Sequence, residues 1–303
     1  MSKHLFGLVV TNHGVAANNR GETEGNITTL QKLLWNDEVH TTVSAEAIRW
    51  ALRYYWQQQG IPVNRVWNEE TNDHEWLDPD WTGWADGDEG VTYIDDDVLG
   101  FMRADAAAQE ANKEEGKRAK GRAIVRRGVL EVTRAISLTP FAGDITFNAK
   151  SGTKTSTSLY GTEVHATRYQ YGFAMTPQFL RKPDRVLDVI DAVLSLSEVA
   201  GNQSRFLFDF SPDSIILRWT DDFAPRILYG FSLTEDGTLT VPDILRRVDA
   251  GDIKPDELIV GGRLAGTPDG GALRELGAHV FAGVRSAGDF LKELIRADLN
   301  LGG

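Results

Sequence analysis

Arg49, Arg53 and Gln57 recur every four residues within the stretch 44–59. At helical pitch they form one polar stripe, about 100° around from an apolar stripe of Ile48, Leu52, Tyr55 and Trp56. Two guanidiniums one turn apart can grip successive phosphates of an extended strand, with Ser44 and the free N–H groups at the helix start as further donors. The same spacing also suits solvated arginines, Glu46 pairing with Arg49 three positions on. Across 116–134 a basic run, Lys117, Arg118, Lys120, Arg122, Arg126, Arg127 and Arg134, faces only Glu131. It is either a solvated face or a phosphate-contacting patch. A third candidate is the glycine-rich corner Gly261-Gly262-Arg263, where a nucleic-acid backbone could approach closely. That corner lacks the GK[ST] ending of a P-loop and the GxGxxG of a dinucleotide site.

Other chemistry is excluded or weak. There is no cysteine, hence no disulfide, thiolate metal site or cysteine nucleophile. The six histidines, at 4, 13, 40, 74, 165 and 279, never cluster in sequence, and no GxSxG elbow occurs. The loop 12–24 carries His13, Arg20, Glu22 and Glu24, whose spacing matches no metal signature.

These residues need elements to hold them. HLFGLVVT, 4–11, is a strand. Ser44 caps a helix that runs to about Gln59 and stops at Gly60 and Pro62. Residues 127–138 read as one long strand ended by Pro140, and 163–174 as a second. Between them, 141–160 is polar, with Lys150 and Lys154 at the tip of a projecting loop. A helix is expected within 97–115 and another over 184–200. Hairpins are expected around 211–213 and at Asp236-Gly237, and a helix from Pro242. The strand 258–260, a helix near 271–277, the strand 279–284 and a last helix capped by Ser286 complete the chain. Irregular interleaving of strands and helices with antiparallel hairpins indicates an α+β fold.

The 303 residues are 41% hydrophobic and 25% charged, globular in character, with enough mass for about two domains. No apolar run reaches the roughly 18–20 residues of a membrane span, and the chain is expected to be soluble and cytoplasmic. Net charge is −12, but residues 64–115 hold 16 acidic and 3 basic groups, while the rest carries 28 and 29. The acidity belongs to one insertion-like segment, rich in Gly, Asp and Trp.

Several segments together resemble a known family: the loop Asn19-Arg20-Gly21, the helix start VSAEAIRWALR at 43–53, then LTPFAGD at 138–144 and EVHATRYQYGF at 163–173. The chain resembles the CRISPR-associated Cascade backbone subunit of the DevR/Cst branch of the Cas-seven family, typical of type I-B systems. The resemblance implies a right-hand shape with a ferredoxin-like (RRM-like) palm at 1–59, 127–138 and 163–303, acidic fingers at 60–126 and a thumb at 139–162. It implies a non-catalytic subunit that assembles head to tail with copies of itself along a CRISPR guide RNA. Its partners would be the other Cascade subunits and, through guide pairing, target DNA. No metal or cofactor is implied.

By resemblance, Ser44, Arg49 and Arg53 contact the guide backbone, as does the basic residue of the preceding loop, which maps onto Arg20 or, as the alternative, Lys32. Glu46 stands where the family often has Gln, so no contact is carried to it. A metal-dependent ribonuclease is the rival expectation, because type III relatives of such a backbone cleave RNA with a loop aspartate. Here the comparable loop offers Glu22, Glu24 and Asp37. The charge map adds one expectation of its own: the acidic segment of one copy meets the basic run 117–127 of the next.

Overall fold

The computed structural model describes residues 2–17, 23–85, 91–104, 123–149, 159–199 and 208–301. The chain opens with β1 (His4–Thr11), β2 (Gly14–Ala17), β3 (Thr23–Glu24) and β4 (Ile27–Thr28), then the hairpin β5 (Lys32–Trp35) and β6 (Glu38–Val43), and α1 (Ala45–Gln58). Residues 64–127 contribute β7 (Arg65–Asn68), β8 (Asp73–Trp76), α2 (Thr82–Ala85), α3 (Ile94–Leu99), β9 (Gly100–Ala104) and β10 (Ala123–Arg127). There follow β11 (Glu131–Val132), β12 (Ala135–Ser137), β13 (Ile145–Ala149), β14 (Leu159–Thr167), β15 (Tyr169–Met175) and α4 (Arg185–Leu194). The last third comprises β16 (Pro212–Thr220), β17 (Ser232–Leu233), β18 (Leu239–Thr240), α5 (Pro242–Asp249), β19 (Leu258–Gly262), α6 (Pro268–Leu276), β20 (His279–Phe281) and α7 (Val284–Leu299).

Among the described residues the largest sheet has nine strands, in the order β20-β19-β16-β1-β15-β12-β6-β5, with β11 also paired to β15. Its pairs are antiparallel except β19–β20, which fits the α+β class. Strand alternation divides the core. Leu5, Val9, Tyr171, Ile215 and Ile259 meet α1, α4 and α7, while Phe6, Leu8, Val10, Ile216 and Val260 meet α5 and α6. That two-sided burial explains why 4–11 is a nearly continuous apolar run. The β1–β15 ladder continues past Asn12-His13 and Arg168 into the β2–β14 ladder, so 4–17 and 164–175 make one long ribbon.

Helix α1 forms as its pattern predicts. Ser44 Oγ accepts the Ala47 N–H at 3.2 Å, and Ile48, Leu52 and Trp56 are buried. Trp56 Nε1 donates to the Asp188 carbonyl of α4 at 3.2 Å. The Asp236-Gly237 turn and the helix from Pro242 also form where expected.

Other expectations need correction. Residues 127–138 are not one strand: Arg127 ends β10, and the register against β15 slips by one residue between Val132 and Ile136. Thr133 causes the slip, its hydroxyl accepting the Gly172 N–H while its own N–H donates to the Gly172 carbonyl. The second long strand starts earlier, at Leu159, and breaks at Arg168, whose guanidinium turns to Asp213 at 2.5 Å and the Thr11 carbonyl at 3.0 Å. The polar excursion contains a strand, β13, paired to β14. Of the helix expected within 97–115, residues 105–115 lie outside the described residues; in the described part α3 ends at Leu99, Gly100 takes φ +72°, and β9 follows. Of the hairpin expected around 211–213, Pro212 itself opens β16 and 208–211 is not strand, while 205–207 lie outside the described residues. Helix α4 stops at Leu194, and α7 begins at Val284, placing Ser286 inside its first turn.

Candidate nucleic-acid interface

The polar stripe of α1 faces protein. Gln57 forms a two-way bond with the backbone of Trp67, both contacts at 2.8 Å. Arg53 Nε donates to Asp95 Oδ2 at 3.1 Å, and Arg49 donates to the Leu99 carbonyl. Burial pulls both guanidiniums below their ordinary range; Asp95 opposes this at Arg53 and Glu46 at Arg49. The helix interior of the recognition motif is thereby the seam that carries residues 64–99.

The seam closes on three consecutive buried carboxylates, Asp95, Asp96 and Asp97. Asp95 also accepts the Asn64 and Arg65 N–H groups, at 2.7 and 3.1 Å. Asp96 accepts Asn64 Nδ2 at 2.9 Å and the Trp81 indole at 3.0 Å, with no cation bonded to it among the described residues. Burial, aided by the charge of Asp95, pushes its carboxyl up to about 6. Asp97 has no exposed surface. Its oxygens take Arg126 at 2.5 Å, Arg185 at 2.8 Å and the N–H groups of Arg181 and Lys182 at 2.9 and 3.1 Å. Trp84 lies between the guanidiniums of Arg126 and Arg181, at 4.2 and 3.8 Å. Part of the acidic charge is therefore turned inward, and Arg126 is an internal anchor rather than a contact for a neighbour's acidic face. Residues 117–122 lie outside the described residues.

Sequence reasoning missed this knot. The available signal was Asp95–Asp97 flanked by Ile94 and Val98-Leu99, an apolar frame within a polar segment.

The remaining candidates are scattered. Lys32 Nζ holds both oxygens of Glu163, at 2.7 and 2.6 Å, above the Phe141 ring at 4.8 Å. Ser44 is buried as the α1 cap. Arg20, Lys150 and Lys154 lie outside the described residues. At the glycine corner Gly261 is buried, and a Cβ on it would meet Ala287 of α7 at 2.7 Å. Gly262, at φ +90°, lies against the Asp213 carbonyl. Arg263 is exposed. Two members of the basic run remain outward: Arg127, 86% exposed and paired with Glu131, and Arg134, which reaches Thr42 and Gln31 just before the α1 cap.

The excursion is rooted in a buried polar network. Thr41 Oγ1 bonds His165 Nδ1 at 2.7 Å and the Tyr169 hydroxyl at 2.9 Å, and Thr139 bridges His165 and Thr167. Burial keeps His165 below its ordinary pKa. Of the carboxylates in the rival ribonuclease expectation, Glu24 is exposed in β3, Asp37 lies in the β5–β6 turn and Glu22 is outside the described residues. No group of three or more potential metal ligands occurs among the described residues.

No family model matches the chain. A CRISPR-associated protein Cas7/Cst2/DevR of Myxococcus xanthus is 50% identical over 273 residues, covering 87% of this chain and 88% of that protein. The chain belongs to the Cas7/Cst2/DevR family. Two solved structures show that its mixed α/β fold is shared with chains of CRISPR assemblies. One, a CRISPR RNA-guided surveillance complex in a pre-nicking state, gives a TM-score of 0.58 at 9% identity, covering 96% of this chain and 100% of the other. A second CRISPR RNA-guided surveillance complex gives 0.54 at 12% identity, covering 96% and 99%. In this Cas7-family chain no described helix is long and apolar enough to cross a membrane.

Proposed function

We propose that this Cas7-family chain is a non-catalytic, guide-RNA-binding backbone subunit of a type I-B Cascade, working in the cytoplasm. Copies assemble head to tail along the guide and present it for pairing with target DNA, beside the other Cascade subunits. The observation that carries the proposal is the 50% identity to a Cas7/Cst2/DevR protein along 87% of this chain. In this reading 1–59, 127–138 and 163–303 form a ferredoxin-like palm, 60–126 the fingers and 139–162 the thumb.

In this reading the outward cations are the ones that meet RNA. Arg53 and Arg126 hold the fingers, whereas Arg127 and Arg134 are outward, and Arg134 reaches Thr42 just before the α1 start. They are the phosphate contacts of this proposal, together with Lys32, Arg20, Lys150, Lys154 and Arg263.

The test is binding of single-stranded RNA at several salt concentrations, without and with Mg²⁺. Arg127→Ala with Arg134→Ala is expected to lower the slope of log K against log[salt] by roughly 1.4, about 0.7 per lost phosphate contact, without changing sequence preference. Absence of RNA binding by the parent chain, or Mg²⁺-dependent cleavage lost on mutating Glu24 or Asp37, would overturn the proposal.

A further inference from the structure

Two buried histidines meet where the β13–β14 excursion leaves the main sheet: His40 on β6 and His165 on β14, 6% and 5% exposed. His40 Nδ1 donates to the Ser137 carbonyl at 2.7 Å. His165 is held from both sides. Its Nδ1 lies 2.7 Å from Thr41 Oγ1, and its Nε2 lies 3.3 Å from Thr139 Oγ1. The carbonyl of the adjoining Pro140 accepts a hydrogen bond from the same ring. This places the ring hydrogen on Nε2 and leaves Nδ1 to accept the Thr41 hydroxyl. Thr41 in turn accepts the Tyr169 hydroxyl at 2.9 Å. The chain of donors therefore runs one way, from Tyr169 to Thr41 to His165.

A proton on Nδ1 breaks that order. Thr41 loses its acceptor, and if its hydroxyl turns back toward Tyr169, the Tyr169 hydrogen loses its own. Tyr169 has no exposed surface, so no water takes over the bond. The charged ring would also face His40 from β6 and His13 from the β1–β2 link, both of which oppose a positive charge. Asp144 favours it. Tyr169 on β15 stays neutral, burial pushing its hydroxyl up to about 12. Lys32 and Glu163, near the Phe141 ring, neutralise each other.

The histidine sits under the segment that enters the excursion. Residues 138–144 are fastened by the Leu138 N–H to the Arg168 carbonyl at 2.8 Å and the Phe141 N–H to the Val39 carbonyl at 2.7 Å. The Asp144 carbonyl accepts the Val164 N–H at 3.0 Å. Thr139 bridges His165 and Thr167, and the Phe141 ring meets the His165 ring edge-on at 5.6 Å.

We propose that His165 is a proton-operated latch: neutral, it fastens 138–144 to the sheet, and on taking a proton it releases the excursion. Burial holds the folded histidine below 6.5, so the open form takes the proton more readily. The closed latch is kept above that pH and is lost progressively below it. This goes beyond the guide-binding reading, because the latch works within one chain and without nucleic acid.

The test is backbone hydrogen exchange of the full chain at about pH 7.5 and about pH 5.5, corrected for the intrinsic pH dependence of exchange. Peptides over 138–149 and 159–167 are expected to exchange at least about tenfold faster at the lower pH, while β16 at 212–220 holds. His165→Gln, which keeps a donor and an acceptor but cannot ionise, should remove the response. His279→Gln, on the edge strand β20, should leave it intact. Should the glutamine loosen the root at every pH, the ring protons of His165 in the parent chain decide by NMR: they should titrate below 6.5, in step with the exchange. Three results overturn the latch: no acid response confined to these peptides, the same response in a well-protected His165→Gln chain, or titration of His165 at or above 6.5.

Discussion

The two excursions from the main sheet manage their side chains in opposite ways. The segment 64–127 is strongly acidic, yet Asp95, Asp96 and Asp97 are buried at its root and bonded to Arg53, Asn64, Trp81, Arg126 and Arg185. The hairpin of 145–149 and 159–167 has a polar root and an exposed apolar face. Charge buried at a root stabilises only if each group keeps its partners, and makes the loss of one partner costly. Apolar surface left on a projecting hairpin contributes little to the fold of its own chain and is available to another molecule.

Asp97→Ala should give the largest effect. It leaves Arg126 and Arg185 without their carboxylate, and loss of one partner of a buried ion pair costs roughly 3–5 kcal/mol. Urea denaturation measures it, and a loss below about 1 kcal/mol would remove the knot from the comparison.

Asp96 predicts a pH dependence next in size. Its carboxyl is raised to about 6 in the folded chain from 3.8, so between those values the folded state holds a proton that the unfolded state has lost. Stability then falls as pH rises from about 4 to about 6, by on the order of 2–3 kcal/mol, and stays lower above that. A urea midpoint flat across that window after subtraction of an Asp96→Asn series would show that Asp96 is not a buried, unpaired acid.

Arg53→Ala should cost about 2 kcal/mol, because it strips Asp95 of its cation but leaves two backbone N–H donors. Stability should fall while the salt slope of RNA binding holds. A slope lower by about 0.7 with stability intact would instead make Arg53 a phosphate contact. Phe147→Asp sits at the small end for folding, within about 0.5 kcal/mol of the parent, since the ring is exposed. A larger loss would mean the hairpin packs within its own chain.

Much of this was legible in the sequence. The α1 cap, its buried stripe and the β1 run follow from local periodicity, and the family resemblance follows from motifs spread along the chain. The stripe of Arg49, Arg53 and Gln57 was legible as a stripe but not as a seam, because its partners Trp67, Asp95 and Leu99 lie 10 to 50 residues away. The break at Arg168 was hidden for the same reason, its partners Asp213 and Thr11 being distant in sequence.

What the residues determined unaided were features set by short-range sterics and solvent: which helix face is apolar, where Ser44 or Pro242 starts a helix, and that 64–115 carries the excess acid. What only the tertiary structure decided was which charges face water. An Asp or Arg on the surface and one buried with a distant partner have the same local sequence. Their fates diverge because desolvation must be offset by a group that the fold, not the neighbouring chain, brings within about 3 Å.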